Sequence, residues 1–196
     1  MPPYPGPEIE GGFELVESEP VGGPDLDALA RRAQEVAEAD ERVRERLADH
    51  RFAALGASVG ADAKDDRIPV VAIFYDYDAN VAVEVELTAD GEDLTVVGIE
   101  ESDRQPAPSD EELERAIELA RDDRRVAGRL TEELDARTIL VSGVEEGDRH
   151  HRTRRIEVSF GLPDERLPRL RALVDLGSER VLGVGVDADH DEEPDG

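Results

Sequence analysis

The one concentrated basic run in this chain is Gly147–Arg155 (GDRHHRTRR), which carries Arg149, Arg152, Arg154, Arg155 and the adjacent pair His150 and His151. Guanidinium forks match carboxylate and phosphate oxygens two at a time. The run is therefore the candidate binding site for an unknown protein partner or an acidic ligand. The competing expectation is a solvated hairpin tip whose arginines pair with the protein's own acidic surface, each exposed pair contributing only about 0–1 kcal/mol. The two histidines do not suggest a metal site. Neighbours on an extended chain point to opposite sides, and the other histidines, His50 and His190, are distant in sequence. A zinc-type ion needs several converging ligands.

Other chemistries fail on spacing. Asp76, Asp78 and Asn80 match the first three ligands of a calcium loop, but the sixth position is Val81 instead of Gly and the twelfth is Leu87 instead of Glu. The acidic residues Asp187, Asp189, Asp191, Glu192 and Glu193 can hold cations loosely without forming a cage. Ser58, Ser142, Ser159 and Ser178 lack a nucleophile-elbow context. The glycine-containing stretches LGASVG and LGVGV have neither dinucleotide-binding spacing nor a following lysine. With no cysteine, thiolate chemistry and disulfides are excluded. The expectation is no catalytic residue, no metal and no cofactor.

The elements that must position the arginines come from an internal repeat. Arg32–Leu47 (RAQEVAEADERVRERL) aligns with Arg115–Leu130 (RAIELARDDRRVAGRL) at a shift of 83, the difference between 115 and 32. Later the shift becomes 85. There Val71, Ile73 and Tyr75 meet Ile156, Val158 and Phe160, and Val96 and Gly98 meet Val181 and Gly183. A duplicated unit with a two-residue insertion after the helix is implied. Leu29, Ala33, Val36, Val43 and Leu47 have helical spacing, as do Ala116, Leu119, Ala120, Val126 and Leu130. Asp40 and Asp123 interrupt the two stripes at matching places, where a short carboxylate can cap a second helical segment. Ser109 or Asp110 can cap the second unit's helix.

Four strands follow in each unit: Phe52–Val59, Ile68–Tyr77, Val81–Leu87 and Leu94–Ile99, then Thr138–Val144, Arg154–Phe160, Leu167–Val174 and Arg180–Val186. Leucine spacing alone also allows a helix over Arg166–Val174; the repeat favours a strand. Gly98 and Gly183 at equivalent strand positions predict a bulge or a close backbone approach. The fold class is α+β: two tandem repeats, each a helix on a four-stranded antiparallel sheet. Residues 1–24 read as a Pro/Gly-rich arm, 25–103 as the first unit, 104–109 as a linker, 110–187 as the second unit and 188–196 as an acidic tail.

Composition sets the surroundings. The chain has 50 acidic and 23 basic residues, a net charge of −27, and Lys64 as its only lysine. Such a field repels nucleic-acid phosphates, so a nucleic-acid partner is not expected. No signal peptide opens the sequence and no apolar run approaches spanning length, so no membrane association and a cytoplasmic location are expected. The acidic, aromatic-poor composition resembles that of salt-adapted proteins of the haloarchaeal kind; the alternative is an acidic mesophilic protein encoded by GC-rich DNA.

The order of elements, together with AVEVELTADGEDLTVVG (82–98) and RLRALVDLGSERVLGVG (169–185), resembles the cystatin-like αβ4 modules that precede the catalytic domain of copper amine oxidases. PepSY-type domains are a looser likeness. The resemblance implies a non-catalytic role. No Asn-Tyr-Asp/Glu cofactor precursor is present, and no His-x-His copper pair. Three functions follow as expectations: a non-enzymatic binding or scaffold module first, then an enzyme with a pocket between helix and sheet using Tyr75 and Asp76, then a protease-inhibitor-like module, for which no inhibitory loop is evident.

Self-repulsion at −27 opposes compaction, and its reach shrinks from about 10 Å at 0.1 M salt to about 3 Å at 1 M. The melting temperature should therefore climb steeply between 0.1 M and 2 M KCl. A flat melting temperature over that range contradicts salt adaptation.

Overall fold

Local sequence signals account for where the helices begin, break and end. The computed structural model describes residues 25–60, 67–91, 93–142, 152–165 and 167–186. Helix α1 (Leu26–Ala39) starts at Asp25, whose side chain accepts the Ala28 amide at 3.0 Å. It stops at Asp40, which is extended and whose carboxylate caps α2 (Glu41–Arg46) by accepting the Arg42 amide at 3.0 Å. The second repeat does the same with α3 (Asp110–Asp122), Asp123 and α4 (Arg124–Ala127), Asp123 accepting the Arg125 amide at 2.9 Å. Arg42 and Arg125 also fold back on these carboxylates and hold them below the usual carboxylate range, burial opposing the effect. Ser109 opens α3 in a reciprocal cap with Glu112.

After the helices come β1 (Phe52–Val59), β2 (Arg67–Asp76), β3 (Val81–Asp90) and β4 (Asp93–Ser102), then β5 (Asp135–Val141), β6 (Arg155–Gly161), β7 (Leu170–Asp175) and β8 (Arg180–Val186). They form two antiparallel four-stranded meanders, β1-β2-β3-β4 and β5-β6-β7-β8. The architecture is α+β with two sheet units. Leu170–Asp175 is strand, as the repeat requires, not helix. Helix α1 packs on the first sheet and α3 on the second. Ala33 and Ala37 of α1, and Ala116 and Ala120 of α3, are fully buried, and their small side chains let each helix sit close to its sheet. Phe74, Val83, Val85 and Leu87 complete the first core; Ile156, Val158, Phe160 and Val174 complete the second.

The shift of 85 fails in the second strand. Val70, Ala72 and Phe74 face the first core, and Ile156, Val158 and Phe160 face the second, so the true offset there is 86. A one-residue slip moves every side chain to the other face; Val71 and Ile73 lie on the face away from α1. The inserted residues are also elsewhere than expected. From Val59 to its partner Val70 is 11 residues, whereas from Leu140 to its partner Ile156 is 16. The second repeat is therefore longer by 16 − 11 = 5 residues between its first two strands, where the arginine-rich run lies.

In the last strands the shift of 85 holds. Each has a bulge beside the matched glycine, at Val97 next to Gly98 and at Leu182 next to Gly183. The carbonyls just before the bulges accept from the capping arginines: Arg42 Nη2 donates to Val96 O at 3.2 Å and Arg125 Nη2 to Val181 O at 2.7 Å. One arginine in each repeat thus ties the helix break to the far edge of the sheet.

Candidate functional site at the joint between the repeats

The second half of the basic run builds the joint between the repeats. Arg154 enters it as a fully buried side chain just ahead of β6. Its Nε and Nη2 donate to Glu112 Oε1 and Oε2 of α3, both at 2.7 Å. Nη1 donates to Pro106 O (2.9 Å) and Gln105 Oε1 (3.3 Å), and Nη2 also reaches Ala107 O (3.3 Å). All five guanidinium donors are used. The Pro-Ala-Pro linker takes part in no sheet ladder, which leaves its carbonyls for Arg154.

The first repeat closes the shell with two tyrosines. Arg154 lies over the Tyr75 ring, 4.7 Å from its centroid. Tyr75 Oη donates to Arg152 O at 3.0 Å and accepts from Gln105 Nε2 at 2.9 Å. Tyr77 Oη donates to Glu112 Oε1 at 2.7 Å, and the Ser109 amide donates to Glu112 Oε2 at 3.2 Å. Arg51 reaches the other way, donating to Gly177 O (2.6 Å) and Leu176 O (3.2 Å) while lying over Tyr77.

The arginine run therefore divides. Arg149, His150 and His151 lie outside the described residues. Arg152 is exposed and paired with Asp103 at 3.0 Å. Arg154 is not an arm of a binding loop but an interior joint residue, because its charge is matched by Glu112 where water does not reach. Arg155 is buried, and neither its Nε nor its Nη2 has a hydrogen-bond partner among the described residues. Sequence reasoning missed Glu112 and Tyr77. The signal was a departure from the repeat: Glu112 stands where α1 has Leu29, and Arg154 where β2 has Ile68, and both of those pack against the first core.

Tyr75 and Asp76 do not form an acid–base pair. Tyr75 is committed to the joint. Asp76 caps the β2–β3 hairpin, its Oδ1 accepting the Asp78 and Ala79 amides at 2.9 Å each. Its Oδ2 lies 2.6 Å from His50 Nδ1 and accepts Arg46 Nη1 at 3.1 Å. Burial alone would raise the Asp76 carboxyl; these bonds, the Ala79 amide and His50 foremost, outweigh it and hold the group below its ordinary value. His50, Asp76 and Asp78 bring ligand atoms within 4.8 Å of one another. Arg46 already supplies the cation there, so the group reads as a hairpin lock.

Beside the joint lies a cleft of about 370 Å³ with walls from both repeats, including Glu38, Phe52 and Tyr77 from the first and Glu111, Arg115 and Glu179 from the second. Glu38 and Phe52 also line a neighbouring hollow of about 330 Å³, with Val43, Arg44, Leu47 and Ala48. Phe52 is 38% exposed between the two. Arg115 and Arg51 are already engaged with Glu179. Glu38 and Glu111 have no ion-pair partner among the described residues. The cleft can therefore take a positive group flanked by an aromatic ring. No protein-family model matches this chain, and no curated protein matches it.

Burial pushes both tyrosine hydroxyls above their ordinary value. At Tyr77 the Glu112 carboxylate reinforces the effect; at Tyr75 the Gln105 bond and Arg154 partly offset it. An unfolded tyrosine ionises near pH 10. Above that pH the unfolded state loses protons that the folded state keeps, so stability falls as pH rises. The urea midpoint in 2 M KCl should drop between pH 9.5 and 11.5, and less steeply in Tyr77→Phe. Equal slopes for the two proteins contradict the assignment of Tyr77 to the buried joint.

Proposed function

We propose that this chain is a non-catalytic binding module of two cystatin-like αβ4 repeats, and that the cleft at the joint receives a basic group of a partner. The observation that carries this reading is the half-exposed Phe52, set beside a hollow with Val43 and Leu47 and near two carboxylates, Glu38 and Glu111, that have no ion-pair partner among the described residues, in a cleft walled by both repeats. Clefts between domains are favoured places for ligands. A positive group over an aromatic ring gains about 0.5–2 kcal/mol, and the acidic field steers cations toward the surface. The helix-on-meander order supports the cystatin-like description, and the filled cores and committed Tyr75 and Asp76 favour binding over catalysis. A second reading, an anionic partner at Arg149 and Arg152, draws support from the five extra residues of that connection.

Titration of the ¹⁵N-labelled chain with Arg-Leu-Arg amide should shift the resonances of Phe52, Tyr77 and Glu111. Phe52→Ala and Glu38→Lys should each weaken binding about tenfold, or about 1.4 kcal/mol. If Asp-Leu-Asp amide binds instead and shifts Arg152, the cleft assignment is wrong and the arginine run is the site.

A further inference from the structure

Away from the joint, the two repeats differ at position 34 in a way that packing does not require. Gln34 of α1 and Ile117 of α3 are equivalent by the shift of 83. Ile117 packs against the second core. Gln34 Nε2 and Oε1 are both shut off from water, and neither has a hydrogen-bond partner among the described residues. An unmet buried amide is destabilising, and an isoleucine at this place is already accommodated by the same fold. The polar residue therefore answers to something other than stability.

Its surroundings indicate what that is. Gln34 lines a groove of about 510 Å³ between α1 and β1, with Asp27, Arg31 and Glu35 on the helix side and Gly56 and Ala57 on the strand side. Strand β1 is an edge of its sheet, and an edge strand presents unpaired backbone donors and acceptors. A bulge interrupts β1 between Ala54 and Gly56, and β5 has none. Gly56 stands at φ 99°, and a Cβ there would meet nothing within 4 Å. A bulge leaves one residue out of the ladder and blocks long edge-to-edge pairing. That confines any added strand to the four residues Gly56–Val59. The terminal torsion of a glutamine is soft, so the amide of Gln34, which lines the groove, is free to reorient toward a ligand there.

We propose that this groove docks a short extended peptide segment of a partner protein. The segment pairs its backbone with the outer edge of Gly56–Val59 and places one peptide group on the Gln34 amide, which supplies both a donor and an acceptor. Strand addition of this kind takes affinity from main-chain bonds and specificity from the flanking pockets. Asp27 and Glu35 outnumber Arg31 on the helix side, so basic side chains are favoured in the segment. The inference rests on the binding-module reading but not on the cleft's preference for a cation. Glu38 and Phe52 of the cleft lie further along the same helix and strand, α1 and β1.

The test is selection of phage-displayed random ten-residue peptides against the whole chain in 2 M KCl. Enriched peptides are then measured on the wild type, Gln34→Met, Gln34→Ile and Phe52→Ala. Both position-34 variants should fold with an equal or higher melting temperature and bind at least tenfold more weakly. Bound peptide should slow amide exchange at Gly56–Val59. Loss of binding in Phe52→Ala alone, equal binding to Gln34→Met and wild type, protection of another sheet edge, or no enrichment at all each overturns the proposal. Weak binding to the position-34 variants with full binding to Phe52→Ala upholds it and shows that the cleft takes no part in binding the segment.

Discussion

A buried ion pair within the second repeat, Arg154 with Glu112, is the centre on which Tyr75 and Tyr77 of the first repeat converge. Taking both charges out of water costs several kcal/mol per ion, and the attraction between them offsets this only when every remaining donor and acceptor is satisfied. Here each guanidinium N–H has an acceptor, and the carboxylate takes two arginine bonds, a tyrosine hydroxyl and a backbone amide. The partners come from the linker, from α3 and from the end of β2, so the pair is complete only when both repeats are in place. Each repeat is near the size where a single core is marginal, which makes shared burial at the joint valuable to both. The cleft with Phe52 exists because the joint sets the start of β1 beside the first turn of α3.

The duplication supplies an internal control. At the positions of Glu112 and Arg154 the first repeat has Leu29 and Ile68, and the same fold accommodates an apolar pair there. Replacing a buried ion pair by apolar residues is often neutral or stabilising for the unit that holds it. The ion pair is accordingly explained by what it reaches outside its own repeat, the Tyr75 ring and the Tyr77 hydroxyl. Gln34 against Ile117 has the same form: a polar group introduced where the sister repeat shows that packing does not need one.

Much of the fold was legible because its signals are local. Asp40 and Asp123 broke two apolar stripes at matching places and are the caps of α2 and α4. Gly98 and Gly183 marked the bulges, and the repeat turned an ambiguous leucine pattern into β7. The register of β2 against β6 was not legible, because Val70–Tyr75 is apolar on both faces and a slip by one residue leaves the pattern looking equally good. The joint was hidden for a different reason. Arg154 sits in a run of basic residues whose composition suggests a solvated tip, and its burial depends on Glu112, 42 residues away in sequence. The departure at position 34 lay inside the aligned segments and that at position 112 three residues before them, but their meaning required knowing which faces are buried.

The joint is the source of cooperativity between the repeats. The direct measurement is calorimetric unfolding in 2 M KCl of the double variant Glu112→Leu, Arg154→Ile, which gives the second repeat the residues of the first. The wild type should unfold in one transition whose calorimetric and van't Hoff enthalpies agree. In the variant both repeats should still fold but melt in two separate transitions. A single transition in the double variant, with the enthalpies still in agreement, contradicts the claim that this pair couples the two halves.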